Sequence, residues 1–419
     1  MRLQVLTLAP TRDSYRQAEP CLANMLQDDA AAAYLPAPTT AAGTTALTQL
    51  TPYLPQLTAR ATLVVATSGT TGDPKYAQLG AAQLRASATA THQVLGGPGV
   101  WLLPLPPHHI AGIQVLLRSL AAGYEPALQD TRGGFSLDNF AAITHQLLER
   151  TPDSRHYTSI VPTQLHKILT ASTHGEPAGR AALQALTSFD AILVGGAALS
   201  PELQRQATDA GVRLVHTYGA SETAGGCVYD GVPLPGARVE IDAGTGRIWL
   251  GGDTIATGYL NKPHHVAWQR PGWFRTDDHG HWDTTHTPPR LHIDGRLDDA
   301  ISSGGLTIFP DAVENALATH PAIAQVVVLG RPDERLGEHV AAVIVPATTP
   351  QATSSPPPTL AELRTWVMNA GLPATAAPRE LIVRTSLPLK GIGKVDRRAL
   401  QDSLRETAAP ARALRSRRS

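Results

Sequence analysis

Thr67-Ser68-Gly69-Thr70-Thr71-Gly72-Asp73-Pro74-Lys75 follows directly on the apolar, β-branched run Leu63-Val64-Val65-Ala66. The run reads as a buried strand and the nine residues after it as a Gly-rich loop. Four hydroxyls, two glycines and a lysine lie within that loop. Glycine lets backbone N–H groups approach an oxyanion, hydroxyls donate and lysine supplies charge, so the composition suits a phosphate cradle. It is not the NTPase P-loop, because G-x-x-x-x-G-K-[ST] is absent. A solvated Ser/Thr/Gly loop is the bland alternative. A helix is expected from Ala77 to about His92.

Outward from this point the texture repeats. VWLLPL (100–105), FDAILVGG (189–196) and VRLVHTYG (212–219) read as strands. GIQVLLRSLAAG (112–123) reads as a helix closed by glycine, and Ser200-Pro201-Glu202 as a helix start. Strand–loop–helix alternation indicates an α/β fold whose ligands bind at the carboxyl ends of the strands. Residues 36–48 read as a loop or weak helix. From Ala237, the short strands ARVEID, GRIWLGG and LHIDG indicate a small β subdomain. After residue 299 comes a small α+β domain: a helix over Ala312–Ala318, strands VVVLG and HVAAVIV, a Pro-rich loop (346–358), a helix near 360–369 and a final strand LIVRT. The division expected is 1–294, a hinge at 295–299, 300–404, and a disordered basic tail over 405–419.

Composition bounds the function. The 419 residues exceed one compact core. Thirty-five basic and 35 acidic residues cancel, so no nucleic-acid footprint is expected. Cys21 and Cys227 are far apart, which fits a reducing compartment. No apolar run reaches the ~20 residues of a membrane span and MRLQVLTLAP lacks a signal-peptide pattern, so the expected location is the cytoplasm. A homodimer is admitted, not required.

Further strings carry chemistry. They are His216-Thr217-Tyr218-Gly219-Ala220-Ser221-Glu222-Thr223, Gly272-Trp273-Phe274-Arg275-Thr276-Asp277-Asp278, Gly295-Arg296-Leu297-Asp298-Asp299, Ser302-Ser303-Gly304-Gly305 and Leu389-Lys390-Gly391-Ile392-Gly393-Lys394-Val395-Asp396-Arg397. In this order, and with the 67–75 loop, they resemble the motifs of the adenylate-forming superfamily of acyl-CoA synthetases, peptide-synthetase adenylation domains and luciferases. The resemblance covers residues 60 to 400. It departs at Ser221, where threonine is common, and at Asp277, where the family has glycine.

The resemblance implies a large N-terminal domain, a mobile C-terminal domain, and ATP, Mg²⁺ and coenzyme A as reactants. It implies that Thr67, Ser68, Gly69, Thr70, Thr71, Gly72 and Lys75 hold phosphates. Tyr218, with Gly219 and Ser221, would meet adenine and Glu222 would hold Mg²⁺. Asp278 and Arg296 would take the ribose, and Asp298 would be the pivot. Gly304 and Gly305 would line the coenzyme A path. Lys394 would be catalytic, with Lys390 its competitor.

For the acid, the short N-terminal region is similar to the compact o-succinylbenzoate–CoA ligases of menaquinone synthesis. So is Leu103-Pro104-Leu105-Pro106-Pro107-His108-His109-Ile110-Ala111-Gly112. His109 would border the acyl pocket and Arg118 would pair a second carboxylate, which a buried anion needs. Gly195, Gly196 and Ala197, with Thr163 and Gln164, would line the pocket. His279 and His281 read as surface residues rather than metal ligands. The alternatives are a ligase for another aryl or short-chain acid, a carrier-loading enzyme, and a catalytically silent nucleotide-binding relative.

Overall fold

The structure, a computed structural model, describes residues 2–67, 74–347, 357–390 and 394–404. The basic tail and most of the Pro-rich loop lie outside the described residues. The chain divides into two compact units. The larger comprises Met1–Leu199, Leu203–Thr276 and Trp282–His292; the smaller comprises Ser200–Glu202, Asp277–His281 and Ile293–Ser419. The cut thus falls at 292/293, ahead of the expected hinge. Asp278 goes with the smaller unit, where Leu297 N donates to Asp277 O (2.7 Å) and ties its strand to the Arg296 turn.

A seven-stranded sheet is the frame of the larger unit. Its order is Val232–Pro233, Gly225–Tyr229, Leu214–Ala220, Ala191–Val194, His156–Ile160, Val100–Leu103, Ala127–Leu128. The strands from Leu214–Ala220 to Ala127–Leu128 are parallel. Both faces are covered, so the strand residues Val100, Trp101, Leu102 and Leu103 are all fully buried and show no alternation. On one face Val100, Leu102, Ile192 and Val194 pack with Phe140, Leu165 and Ile168. Trp101 meets the Tyr157 ring with centroids 5.1 Å apart.

A four-stranded sheet joins Arg2–Thr7, Ala32–Ala37, Ala61–Ala66 and Tyr76–Gly80. The first two pairings are parallel and the last antiparallel. Here the expected helix from Ala77 is corrected. Tyr76–Gly80 is a strand against Ala61–Ala66, and Ala81–Val94 is the helix. Every residue of YAQLG is buried, so the strand carries no period-2 signal. Of the two readings for residues 36–48, the helix holds over most of the stretch: they contain the end of the strand Ala32–Ala37 and then the helix Thr40–Leu50, whose N-cap Thr39 accepts from Ala42 N.

The smaller unit has a five-stranded sheet. Ile323–Asp333 and Gly337–Pro346 pair antiparallel, and Glu380–Val383 adds parallel to the latter. Val328, Ala342 and Ile344 pack on the helices Pro310–Ala318 and Leu360–Asn369 through Val313, Leu317, Leu363 and Val367. Val327, Leu329 and Val343 face Leu387, Leu400 and Leu404. No helix among the described residues is long and apolar enough to cross a membrane.

Candidate active site

Thr67 and Lys75 flank the link between two antiparallel strands, Ala61–Ala66 and Tyr76–Gly80, not a link from strand to helix. Thr67 N donates to Lys75 O (2.8 Å). Ser68, Gly69, Thr70, Thr71, Gly72 and Asp73 lie outside the described residues. Asn261 clips the returning limb: its Nδ2 donates to Pro74 O (2.9 Å) and its Oδ1 accepts from Tyr76 N (3.1 Å). Thr67 Oγ1 is buried with no partner among the described residues. A buried hydroxyl of this kind beside the Gly-rich string suits a phosphate oxygen.

Glu222 sits in the short 3₁₀ turn Ser221–Thr223, at the carboxyl end of the parallel strand Leu214–Ala220. It is 5% exposed and accepts a hydrogen bond from the Tyr259 phenol. Ser221 Oγ donates to Ala66 O (3.3 Å), so the turn is tied to the hairpin. Ala256 N donates to Glu222 O (2.8 Å), and Leu260 N to Tyr76 O (2.8 Å). The segment 256–261 therefore binds both. A buried carboxylate linked through Ser221 to Ala66 and through Tyr259 to the ring that Lys75 covers fits a hard cation carried with phosphates. Tyr218 precedes this turn, and a Cβ on Gly219 would lie 2.2 Å from Gly225 O. Only glycine fits there.

Gly195 to Ala197 follow the strand Ala191–Val194. A Cβ on Gly195 would lie 2.3 Å from Thr217 Oγ1, and Gly196 has φ +81°. Gly196 and Ala197 are exposed. Gln164 is committed elsewhere: its Nε2 donates to Pro104 O (2.7 Å) and its Oε1 accepts from Val161 N (3.0 Å). That amide anchors two loops.

His109 is the N-cap residue of the helix Ile110–Ala121, and Arg118 is in its last turn. The two are separated by ~13 Å along the axis. His109 stacks on His108 at 4.3 Å. Burial, with His109 adding to it, pushes His108 down to about 4. Arg118 is only 3% exposed and has no carboxylate partner among the described residues. Its Cζ lies 5.4 Å from the Trp101 ring centroid, and its Nε has no partner among the described residues. Burial lowers its pKa, opposed by the Tyr229 hydroxyl. Burial and the Arg118 charge hold His92 at about 4, so its neutral Nε2 accepts from Trp101 Nε1 (3.3 Å). Arg118 Nη2 is 4.0 Å from where a Cβ on Gly225 would sit. The guanidinium thus ends close to the chain just after Glu222.

In the smaller unit, Arg296 gathers carboxylates. Its Nε and Nη2 donate to Asp298 (2.8 and 2.6 Å), and Asp278, Asp277 and Asp299 stand at 3.8, 3.9 and 4.0 Å. Burial works against the charge, but Asp298 and Asp278 raise its pKa overall. His279 and His281 both place Nδ1 on Asp294 (2.8 and 3.0 Å). Gly304 and Gly305 have φ +60° and +82° and form the two-residue turn between Ile301–Ser303 and Leu306–Ile308. The turn alone accounts for both glycines. Lys394-Val395 pairs with Leu389-Lys390. The side chains of Lys390 and Lys394 lie outside the described set. Arg397 fastens the segment that follows: it donates to Glu314 (2.6 and 2.8 Å) and to Val328 O (2.8 Å).

Sequence reasoning missed Tyr259, Asn261 and Glu314. Each acts on a partner 37 to 187 positions away in the chain. The Gly-Tyr-Leu-Asn string was its only local signal.

Comparison with known proteins agrees with this geometry. Residues 10–260 match the family described as AMP-binding enzyme, and residues 312–394 its C-terminal domain. A probable 2-succinylbenzoate–CoA ligase of Mycobacterium tuberculosis (strain CDC 1551 / Oshkosh) is 49% identical over 81% of this chain and 83% of its own. The Escherichia coli (strain K12) 2-succinylbenzoate–CoA ligase is 32% identical over 66% of this chain and 57% of its own. Among solved structures, the Bacillus subtilis o-succinylbenzoate CoA synthetase in complex with its acyl-adenylate intermediate superposes with a TM-score of 0.67 at 26% identity. That match covers 81% of this chain and 69% of the other. The chain therefore belongs to the AMP-binding enzyme family.

Proposed function

We propose that this chain is an o-succinylbenzoate–CoA ligase. It converts ATP, o-succinylbenzoate and coenzyme A into o-succinylbenzoyl-CoA, AMP and pyrophosphate through an acyl-adenylate. The likeness to the mycobacterial ligase, which spans most of both chains, is the observation that carries the assignment.

In the first half-reaction a carboxylate oxygen of the acid attacks the α-phosphorus, and the bond to pyrophosphate breaks. In the second the thiol sulfur attacks the acyl carbon and AMP leaves. Positioning and charge neutralisation are what this chemistry asks of a protein. Thr67, Ser68, Gly69, Thr70, Thr71, Gly72 and Lys75 are assigned to the phosphates, and Tyr218 with Gly219 and Ser221 to adenine. Glu222 would hold Mg²⁺, which when bound offsets phosphate charge. Asp278 and Arg296 are assigned to the ribose, Asp298 to the pivot, and Gly304 and Gly305 to the coenzyme A path. Lys394 would touch both the substrate carboxylate and the α-phosphate and relieve their repulsion.

For the acid, His109 and the small residues Gly195, Gly196 and Ala197 are assigned to the pocket. Arg118, buried without a carboxylate among the described residues and close to Gly225, is the group to receive the second carboxylate.

The test is a coupled assay with Mg-ATP, coenzyme A and o-succinylbenzoate, with benzoate and other aryl acids in parallel. Selective o-succinylbenzoyl-CoA formation is expected. Pyrophosphate release only with another acid would overturn the substrate and keep the chemistry. Lys394→Ala should cut adenylation by about 10²- to 10³-fold while sparing thioester formation from pre-made acyl-AMP. Equal loss in both halves would remove Lys394 from its role.

A further inference from the structure

The Tyr259 phenol donates to Glu222 Oε1 across 37 positions of chain. Tyr259 is 1% exposed. Its ring is held edge-on by His265 at 5.1 Å and Trp268 at 5.2 Å. Its backbone bridges Ala77, the next residue donates to Tyr76 O, and Ala256 N donates to Glu222 O. Ring plane and backbone are thus both fixed against the hairpin and the Glu222 turn. Lys75 Nζ stands 5.1 Å from the ring centroid.

We propose that Tyr259 is a positioning residue that aims the Glu222 carboxylate at a divalent cation bound with the nucleotide triphosphate. The proposal rests on the assignment of Glu222 to Mg²⁺. A carboxylate offers about four acceptor sites, so the phenol bond restrains its rotation while occupying one of them. The phenol is neutral. An arginine there would orient the carboxylate equally well, but its charge would compete with the ion it serves. Lys75, over the ring face, draws electron density from the phenol and strengthens the O–H as a donor. The same lysine is assigned to the phosphates, so cation and phosphate would be set by one connected group.

The test is Mn²⁺ binding, read by electron paramagnetic resonance, to the full-length protein with a non-hydrolysable ATP analogue. Metal-free AMP affinity is measured in parallel. Tyr259→Phe keeps the ring between His265 and Trp268 and removes only the hydroxyl. The expected result is a loss of about 10- to 100-fold in Mn²⁺ affinity, with AMP affinity within about twofold of the parent. Equal losses of Mn²⁺ and AMP affinity would overturn the proposal, because a merely architectural ring gives that pattern. Unchanged Mn²⁺ affinity in Tyr259→Phe with loss in Glu222→Gln would overturn it too, and leave the metal assignment standing. Unchanged affinity in Glu222→Gln would bring down the assignment of Glu222 itself.

Discussion

Arg118, in the larger unit, faces an indole ring and a phenol and no carboxylate among the described residues. Arg397, in the smaller, is clasped by both oxygens of Glu314, with Asp311 at 3.5 Å. Burial drives Arg118 below its ordinary pKa. Burial acts on Arg397 as well, but Glu314 and Asp311 outweigh it and the pKa is raised. A compensated charge can be architecture, because its desolvation is met within the fold. A buried cation without a counter-charge costs stability, and such costs are kept where a ligand supplies the missing charge. The first kind fastens the segment carrying Lys394, and the second points to an anionic substrate group.

The sharpest way to break this contrast is Arg397→Ala. It leaves Glu314, 17% exposed at its side chain, without a countercharge, and should cost about 2–4 kcal/mol in urea denaturation. Burial already raises the Glu314 pKa. A raised carboxyl favours the folded state at low pH, and that benefit is lost as pH rises through the folded value. The deficit should therefore be larger at pH 8 than at pH 5. Arg397→Lys should recover less than half, since an ammonium cannot make the paired bonds. A neutral outcome for Arg397→Ala would end its role as a fastener.

Arg118→Met should do the reverse. It keeps volume and removes an uncompensated charge, so the melting temperature should hold or rise. The KM for o-succinylbenzoate should climb about 10-fold or more, the equivalent of ~1.4 kcal/mol, while that for benzoate stays put. An unchanged KM for the diacid would place Arg118 outside the substrate site.

A third arginine sets the baseline. Arg12 and Glu125 pair at 2.6 Å on the surface, with side chains 55% and 31% exposed. The hydrogen bond from Arg12 leads the causes that hold the Glu125 carboxyl at about 2. A depressed carboxyl contributes stability above the unfolded pKa and loses it as pH falls through the folded value. Glu125→Gln should therefore cost less than ~1 kcal/mol at pH 7, and the cost should shrink as pH falls toward the folded value. A larger cost would mean that exposure is a poor guide to which ion pairs matter in this chain.

The parts legible in the sequence were those where chemistry restricts residue type within a short string. Ser221-Glu222 and Gly195-Gly196 fall at carboxyl ends of parallel strands, as strand–loop alternation implies. Buried strands such as Tyr76–Gly80 were not legible, because full burial erases the alternation that separates strand from helix. Nor were residues that act only through distant partners. The Gln164 amide, for one, reaches Pro104 O across 60 positions. Tyr259 belongs to none of the strings that carried chemistry, and its hydroxyl ends on Glu222.

The ties around the hairpin have a consequence for how the chain folds. Ser221 reaches Ala66 across 155 positions, and Asn261 reaches Pro74 across 187. The large parallel sheet, by contrast, pairs Val100–Leu103 with its neighbours in sequence, Ala127–Leu128 and His156–Ile160. Contacts of long sequence separation are slow to form, so the sheet can assemble while the nucleotide site is still in pieces. Competence to bind ATP is then among the last properties a refolding molecule acquires, and nucleotide binding reports completed folding rather than the first collapse.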